Sequence, residues 1–345
     1  MIYAPVIIPT LCRYKHFVRL IESLKKNKHS EFTDVYVGLD YPVLEKHRHG
    51  YSQICKYLEG DFNEFKSFNV IKRSYNFGAG ENLDDLINLI SDKYDRFIKI
   101  DDDAEVSTVF LEYVNKCLEL YKSDKNIIAI SGYSYPLDWR VSDGASVFCQ
   151  NFIAPVWGTG FWCDKYRQIQ KFVLDDCGFV RDADSIVRGA GLQRMSMVCR
   201  REYADLCLSP DYTNTLAAKI TDISIRMYMA ACDKYVVMPV LSKVRNCGFD
   251  GTGEYCEKIK ECETRFNSKA YSYDSQPIDD AKEFMLIPDE NNDIKANKIL
   301  MNKFDTVSLK SRVKTYLKLF LFFILGLSNY HRATLALRRL RSYGK

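Results

Sequence analysis

Phe97-Ile98-Lys99-Ile100-Asp101-Asp102-Asp103 is the stretch on which the reading of this chain turns. Its first part is apolar except for Lys99 and suits a short buried strand. Its last part sets three carboxylates in a row where that strand ends. Carboxylates this close repel one another unless a cation sits among them. Hard oxygen ligands at this density suit Mg²⁺ or Mn²⁺, ions that can bridge a diphosphate. The competing reading is an acidic loop that caps the next helix, with Ser107 or Asp103 at the N-cap.

Working outward, the first 130 residues alternate strand and helix. Short apolar runs at 5–9, 34–39, 68–72, 96–100 and 127–131 read as strands, and helical periodicity marks 14–26, 51–58, 83–90 and 109–121. This alternation predicts βαβ units and an α/β fold with a mainly parallel sheet flanked by helices. Ligands of such sheets bind beyond the carboxyl ends of the strands. Pro9, Thr10, Arg13, Asp40, Asn76 and the acidic triplet all stand just past an expected strand.

Four further segments carry candidate chemistry. Asn76-Phe77-Gly78-Ala79-Gly80-Glu81-Asn82 is a Gly-rich turn ahead of a helix, where free N–H groups can meet an anion; it lacks the Lys and spacing of a Walker loop. Trp157-Gly158-Thr159-Gly160-Phe161-Trp162 combines rings that stack on sugars with glycines that leave room, or else is a packed core turn. Asp222 opens an expected helix, either as its cap or as a general base. The Gly-rich loop at 247–256 either folds over a nucleotide or is an exposed loop.

Composition bounds the rest. With 345 residues and 47% hydrophobic side chains the chain can bury a sizeable core. Of the 49 Lys and Arg, nine fall in residues 306–345 with no Asp or Glu, so the remainder carries 40 basic against all 45 acidic residues. Positive charge confined to one tail gives no reason to expect a nucleic-acid partner. The apolar run 316–327 is short of the ~20 residues that span a bilayer. With basic flanks it predicts an interfacial anchor, so that residues 312–345 would meet a membrane surface; a buried helix with a solvated basic end is the alternative. Twelve scattered cysteines, none in C-x-x-C spacing, suggest free thiols in a reducing compartment. The first residues read as a strand and not as a signal peptide. The expected place is the cytoplasmic face of a bacterial membrane.

Taken in order, residues 5–24, 35–42, 76–83, 97–106, 155–162, 220–228 and 237–256 resemble family-2 glycosyltransferases of the GT-A fold, above all bacterial polysaccharide-assembly enzymes, with a more distant similarity to N-acetylglucosaminyltransferase I. The resemblance implies a catalytic domain over 1–256, with a nucleotide-binding half at 1–131 and an acceptor half at 132–256. A linker at 257–305 and the tail at 306–345 would follow. It implies that Pro9, Thr10, Arg13, Asp40, Asn76, Gly78, Asp101 and Asp102 surround a nucleotide-sugar, commonly a UDP-sugar. Asp103 and Asp101 would hold Mn²⁺ or Mg²⁺. Trp157, Gly158, Gly160 and Trp162 would shape the substrate pocket, and Asp222 would be the base of an inverting hexosyltransferase acting on a glycan or lipid-linked acceptor. Tyr255 stands where related loops often carry His, and no Q-x-x-R-W signature is present. Two other classes compete. A nucleotidyltransferase shares the α/β core but needs a Gly-rich loop after its first strand, which Thr10-Leu11-Cys12-Arg13 does not supply. An inactive membrane-bound glycan-binding scaffold would have no need of the acidic triplet.

Overall fold

In the computed structural model, which describes residues 2–155, 157–248, 250, 252, 276–279, 281–289 and 294–343, the apolar runs become the strands of one sheet. Strands β1 (Val6–Thr10), β2 (Asp34–Leu39), β3 (Ser67–Lys72) and β4 (Arg96–Lys99) alternate with helices α1 (Tyr14–Lys25), α2 (Glu45–Tyr57) and α3 (Gly78–Ser91). Beyond them come β5 (Ala104–Val106), α4 (Phe110–Leu120), β6 (Ile127–Ser131), β7 (Val147–Gln150) and β8 (Thr159–Trp162). Helices α5 (Cys163–Gln170), α6 (Gly178–Arg181), α7 (Ala183–Arg188), α8 (Ala190–Arg194), α9 (Met197–Glu202) and α10 (Asp222–Cys232) follow, then β9 (Tyr235–Pro239), β10 (Val244–Asn246), α11 (Ile294–Phe304) and α12 (Leu309–Tyr343).

The chain divides into two units. The first comprises Met1–Phe148, Pro155–Asp164 and Val237–Asn291. The eight-stranded sheet runs in the order β3-β2-β1-β4-β8-β6-β9-β7. β1 pairs in parallel with both β2 and β4, and β2 with β3. β8 enters antiparallel between β4 and β6, so the sheet is mixed. Every residue of β2 is buried, as are Val6, Ile7 and Ile8 of β1, which is what strands covered on both faces require. α1 contributes Phe17, Leu20, Ile21 and Leu24, one stripe at helical spacing, each side chain adding roughly 1.5–3 kcal/mol by leaving water. α2 begins earlier than its periodicity predicts, because its opening turns are polar and Ile54 is its one fully buried side chain. α3 begins at Gly78 itself, so the glycines lie in its first turn.

A second, two-stranded sheet pairs β5 with β10, Ala104 opposite Asn246 and Val106 opposite Val244. This ribbon removes the acidic triplet from any capping role. α4 has Val109 at its N-cap and no side-chain cap bond, so the triplet sits in the β4–β5 turn instead. Residues 276–279 and 281–289 belong to the same unit. Gln276 donates to the Ser134 carbonyl at 2.6 Å, and Lys116 donates to the Phe284 carbonyl at 2.7 Å.

The second unit, Cys149–Ala154, Lys165–Val236 and Asn292–Lys345, is helical. α9 starts at a Ser196 cap, and Asp305 accepts from the Met197 and Val198 N–H groups at 3.0 and 2.7 Å. α12 packs on α7 and α9, and its Thr315, Leu319, Phe322 and Tyr330 are buried. It breaks at Gly326, whose φ of 69° and ψ of 170° no L-residue adopts readily. No helix among the described residues is long and apolar enough to cross a membrane. Every cysteine among the described residues is a free thiol.

Candidate functional site

The carboxyl ends of β1, β2 and β4 lie side by side because those strands are parallel neighbours, and this sets the loops after them together. Thr10, at the end of β1, donates its hydroxyl to Asp102 at 2.8 Å. Arg13, three residues on, spans two members of the triplet. Its guanidinium donates to Asp102 and, at 2.7 Å, to Asp103. Asp101 pairs with Lys99 at 2.8 Å. The spacing in sequence between Arg13 and the triplet hid this pair, and only the parallel register of β1 and β4 reveals it.

Asp103 is the least satisfied member. One of its carboxylate oxygens, Oδ1, is buried and has no hydrogen-bond partner among the described residues. Burial raises its pKa above the ordinary carboxylate value; Arg13 pulls it down, and Asp101 and Asp102 push it further up. Arg13 loses solvation too, yet the two aspartates more than offset this and hold it firmly charged. A buried carboxylate oxygen without a donor costs about 1–3 kcal/mol or more unless something fills the gap.

The site's other wall is the strand-to-loop junction after β10. The Cys247 N–H donates to the Asp103 carbonyl at 2.8 Å, and the Gly248 N–H to the Asn246 side chain at 2.7 Å. A Cβ on Gly248 would stand 2.0 Å from Asp103 Oδ2, so glycine is required for this approach. Further along, Asp250 meets His16 Nε2 at 2.9 Å and accepts from Thr252 at 2.6 Å. His16 lies one turn after Arg13 on α1, and the ring is buried. Periodicity holds no signal for this pin between α1 and Asp250. The rest of that loop, including Tyr255, lies outside the described residues.

These donors fit a hard divalent cation. Mg²⁺ and Mn²⁺ sites that serve phosphates use one or two carboxylates and leave the other positions to water and substrate. Among the described residues no three His, Cys, Asp or Glu side chains converge as a complete set. Asp103, with its unmatched oxygen, and Asp101, half-buried beside it in the chain, are the two that remain.

No family model matches the chain, and no curated protein is similar to it. Among solved structures it is similar to S. aureus TarS, with 15% identity and a TM-score of 0.34 over 48% of this chain and 29% of that one. It is similar also to TarS 1-349 in complex with UDP, at 16% and 0.35 over 48% and 49%. A third is the mannosyltransferase PcManGT from Pyrobaculum calidifontis in complex with GDP-Man and Mn²⁺, at 13% and 0.35 over 49% and 46%. The chain spans less than half the length of each. At such scores the site rests on its own geometry.

Asp40 organises the neighbouring loop. Its side chain accepts from the backbone N–H groups of Tyr41, Phe77 and Gly78 at 2.8, 2.8 and 2.9 Å, and from Asn76 at 3.2 Å. Asn76 also donates to the Tyr41 carbonyl at 2.8 Å. A carboxylate at the N-terminus of α3 satisfies orphan donors there and suits the helix dipole. The Tyr75 and Phe77 rings lie 4.7 Å apart, tilted by 33°, and Arg73 lies 4.6 Å over Phe77. Tyr75 and the nearby Tyr41 are exposed and Phe77 is half-buried, aromatic residues that periodicity does not single out. Pro9 is half-buried beside Gly38 in the β1–β2 register.

The Trp157–Trp162 segment is used mainly by the core. A Cβ on Gly160 would stand 2.6 Å from Val114 on α4, and one on Gly158 2.8 Å from Val244. Trp162 is buried and donates to the Leu118 carbonyl at 3.2 Å. Their smallness and aromaticity let α4 and β8 pack closely. Trp157 is half-buried, edge-on to Tyr133 at 4.6 Å. In the second unit, Asp222 is exposed at the start of α10 and does not cap it. Thr221 does so, in a capping box with Ser224.

The Arg13 bridge yields a direct test. Replacing Arg13 by Gln leaves two nearby carboxylates without their cation, a change that costs about 3 kcal/mol or more. Asp103 already titrates above its unfolded value of 3.8, and losing Arg13 moves it further up. Stability through this group is full below the unfolded pKa and lost as pH rises through the folded one. Arg13→Gln should therefore melt well below the parent at pH 7, and the gap should narrow as pH falls toward 3.8. Calorimetry with millimolar Mn²⁺ at pH 7 should restore more of the melting temperature in this variant than in the parent.

Proposed function

We propose that the chain is a glycosyltransferase of the GT-A type, a hexosyltransferase that moves a sugar from a nucleotide-sugar to a glycan or lipid-linked acceptor. The observation that carries this reading is the triplet at the end of β4. It meets the β1 loop through Thr10 and Arg13 and keeps one buried Asp103 oxygen unmatched. Asp103 and Asp101 would hold Mn²⁺ or Mg²⁺, which stabilises charge on a departing diphosphate when bound. Asp40 keeps the 76–78 turn in place by taking up the Phe77 and Gly78 amides, so that the rings of Tyr75 and Phe77 can receive the base of the donor. Thr10 and Arg13 fix the orientation of Asp102 and Asp103. Trp157 offers the ring face nearest to a sugar-stacking role in its segment.

Asp222 is the proposed base of an inverting reaction, taking the proton of the acceptor hydroxyl. Its carboxylate is exposed and free of capping duty. Asp222→Asn should keep the fold, because Thr221 holds the cap, and lower turnover about 100-fold with donor affinity unchanged. Equal turnover by the variant would remove Asp222 from the mechanism. Residues 312–345 would place the protein on the cytoplasmic face of a membrane through their basic and apolar side chains.

The deciding experiment is a donor screen. Purified protein is given UDP-, GDP- and other nucleotide-sugars with Mn²⁺ or with EDTA, and released nucleotide is read. Release from one donor with Mn²⁺ and none with EDTA is expected. Silence across the panel, with lipid-linked acceptor extract present as well, would favour the glycan-binding scaffold.

A further inference from the structure

α12 departs from what a surface helix in water should look like. Its inward stripe packs on α7 and α9, yet its outward face is apolar as well, with Phe320 and Ile324 each 60% exposed. A helix apolar on both sides belongs in a core or against lipid. Between its first limb and α7–α8 runs a groove of about 660 Å³, walled by Val187 and Leu192 on one side and Val313, Leu317, Phe320 and Phe323 on the other. Sites for polar small molecules carry several convergent polar groups. Here Tyr316 is the one lining residue with a polar side-chain atom, and its hydroxyl already accepts from Arg200 at 3.2 Å. Seven residues on, about 10 Å along the helix, Arg188 donates to the Phe323 carbonyl at 2.8 Å and lies 4.5 Å over the Phe323 ring. The apolar trough thus has one guanidinium beside Tyr316 and another beside Phe323, the latter also paired with Asp184 at 3.2 Å.

We infer that this trough takes an acyl chain of an anionic phospholipid from the bilayer, with the lipid phosphate at the guanidinium rim. This deepens the membrane reading given above and is independent of the transferase reading. Charge selects the occupant. Residues 306–345 hold nine Lys and Arg and no acid, and Lys310, Arg312, Lys314 and Arg332 are exposed. An isologous dimer through this face would bring two such tails together, whereas an anionic surface complements them.

The test uses the unaltered full chain with phosphatidylcholine vesicles, with and without an anionic phospholipid, each doped with a phospholipid of matching headgroup that carries a diazirine in its acyl chain. After irradiation, adducts are mapped by mass spectrometry. Adducts are expected on both walls, on the peptide holding Val187 and Leu192 and on α12, and at least about tenfold fewer in neutral vesicles. Adducts on α12 alone would overturn the trough while leaving membrane contact standing. Adducts on neither wall would overturn both. Equal yield in neutral vesicles would overturn the anionic requirement, and a stable dimer in sedimentation velocity with no adducts would assign the face to a second copy.

Discussion

Asp103→Asn is expected to lower metal-dependent nucleotide release about 10³-fold, on the order of 4 kcal/mol of barrier, while the protein folds as well as its parent or better. The two halves of this expectation have one cause. Asp103 is buried beside two other carboxylates, and its ionised form is disfavoured there. Asparagine has nearly the same shape, keeps an oxygen for Arg13 and removes that electrostatic penalty. A residue kept at the expense of stability is a sign of function. Asp103→Ala should lose the same activity but leave a small void. Mn²⁺ affinity, followed by the EPR signal of the free ion, should fall with activity in both variants. Near-normal release by Asp103→Asn would show that the triplet holds no metal in the reaction, and the glycosyltransferase reading would then lose its main support.

The frame of this site was legible in the sequence, and its coupling was not. Alternation of apolar runs marks β1 to β4 and β6 but not the short β5, and the rule that ligands gather at strand ends leads to Thr10, Arg13, Asp40 and the triplet. The Asp102–Arg13–Asp103 bridge joins residues some ninety positions apart. It depends on β1 and β4 being neighbours, a fact of sheet order that periodicity does not contain. The antiparallel entry of β8 was hidden for the same reason. Gly160 and Trp162 show the opposite failure. Small and aromatic residues in one run serve substrate pockets and tight core turns alike, and their core role shows only against α4. The tail was legible as basic and apolar. Its inward stripe and its groove against α7–α8 required the packed structure. His16 left no trace, since a lone His on an amphipathic helix reads as surface until Asp250 is found 2.9 Å away.

Gly248→Ala should impair activity nearly as much as Asp103→Asn, by a purely steric route. The added methyl would stand 2.0 Å from Asp103 Oδ2 and 2.7 Å from its Cγ, closer than atoms pack. Relief by rotating Asp103 breaks the Arg13 contact at 2.7 Å and turns the unmatched Oδ1 away from its present position. Relief by moving the backbone strains the Cys247 N–H to Asp103 carbonyl bond and the β5–β10 ribbon behind it. Overpacking of this kind costs about 1–3 kcal/mol, which a domain of this size survives. The variant should therefore fold, melt a few degrees lower, and bind Mn²⁺ weakly although every carboxylate is retained. A second change, Asp103→Asn in the Gly248→Ala background, should add little further loss of activity, because both act on one group. Full additivity of the two losses in such a double-mutant cycle would mean that Gly248 serves a different part of the reaction, and that its close approach to Asp103 is not what positions the metal ligand.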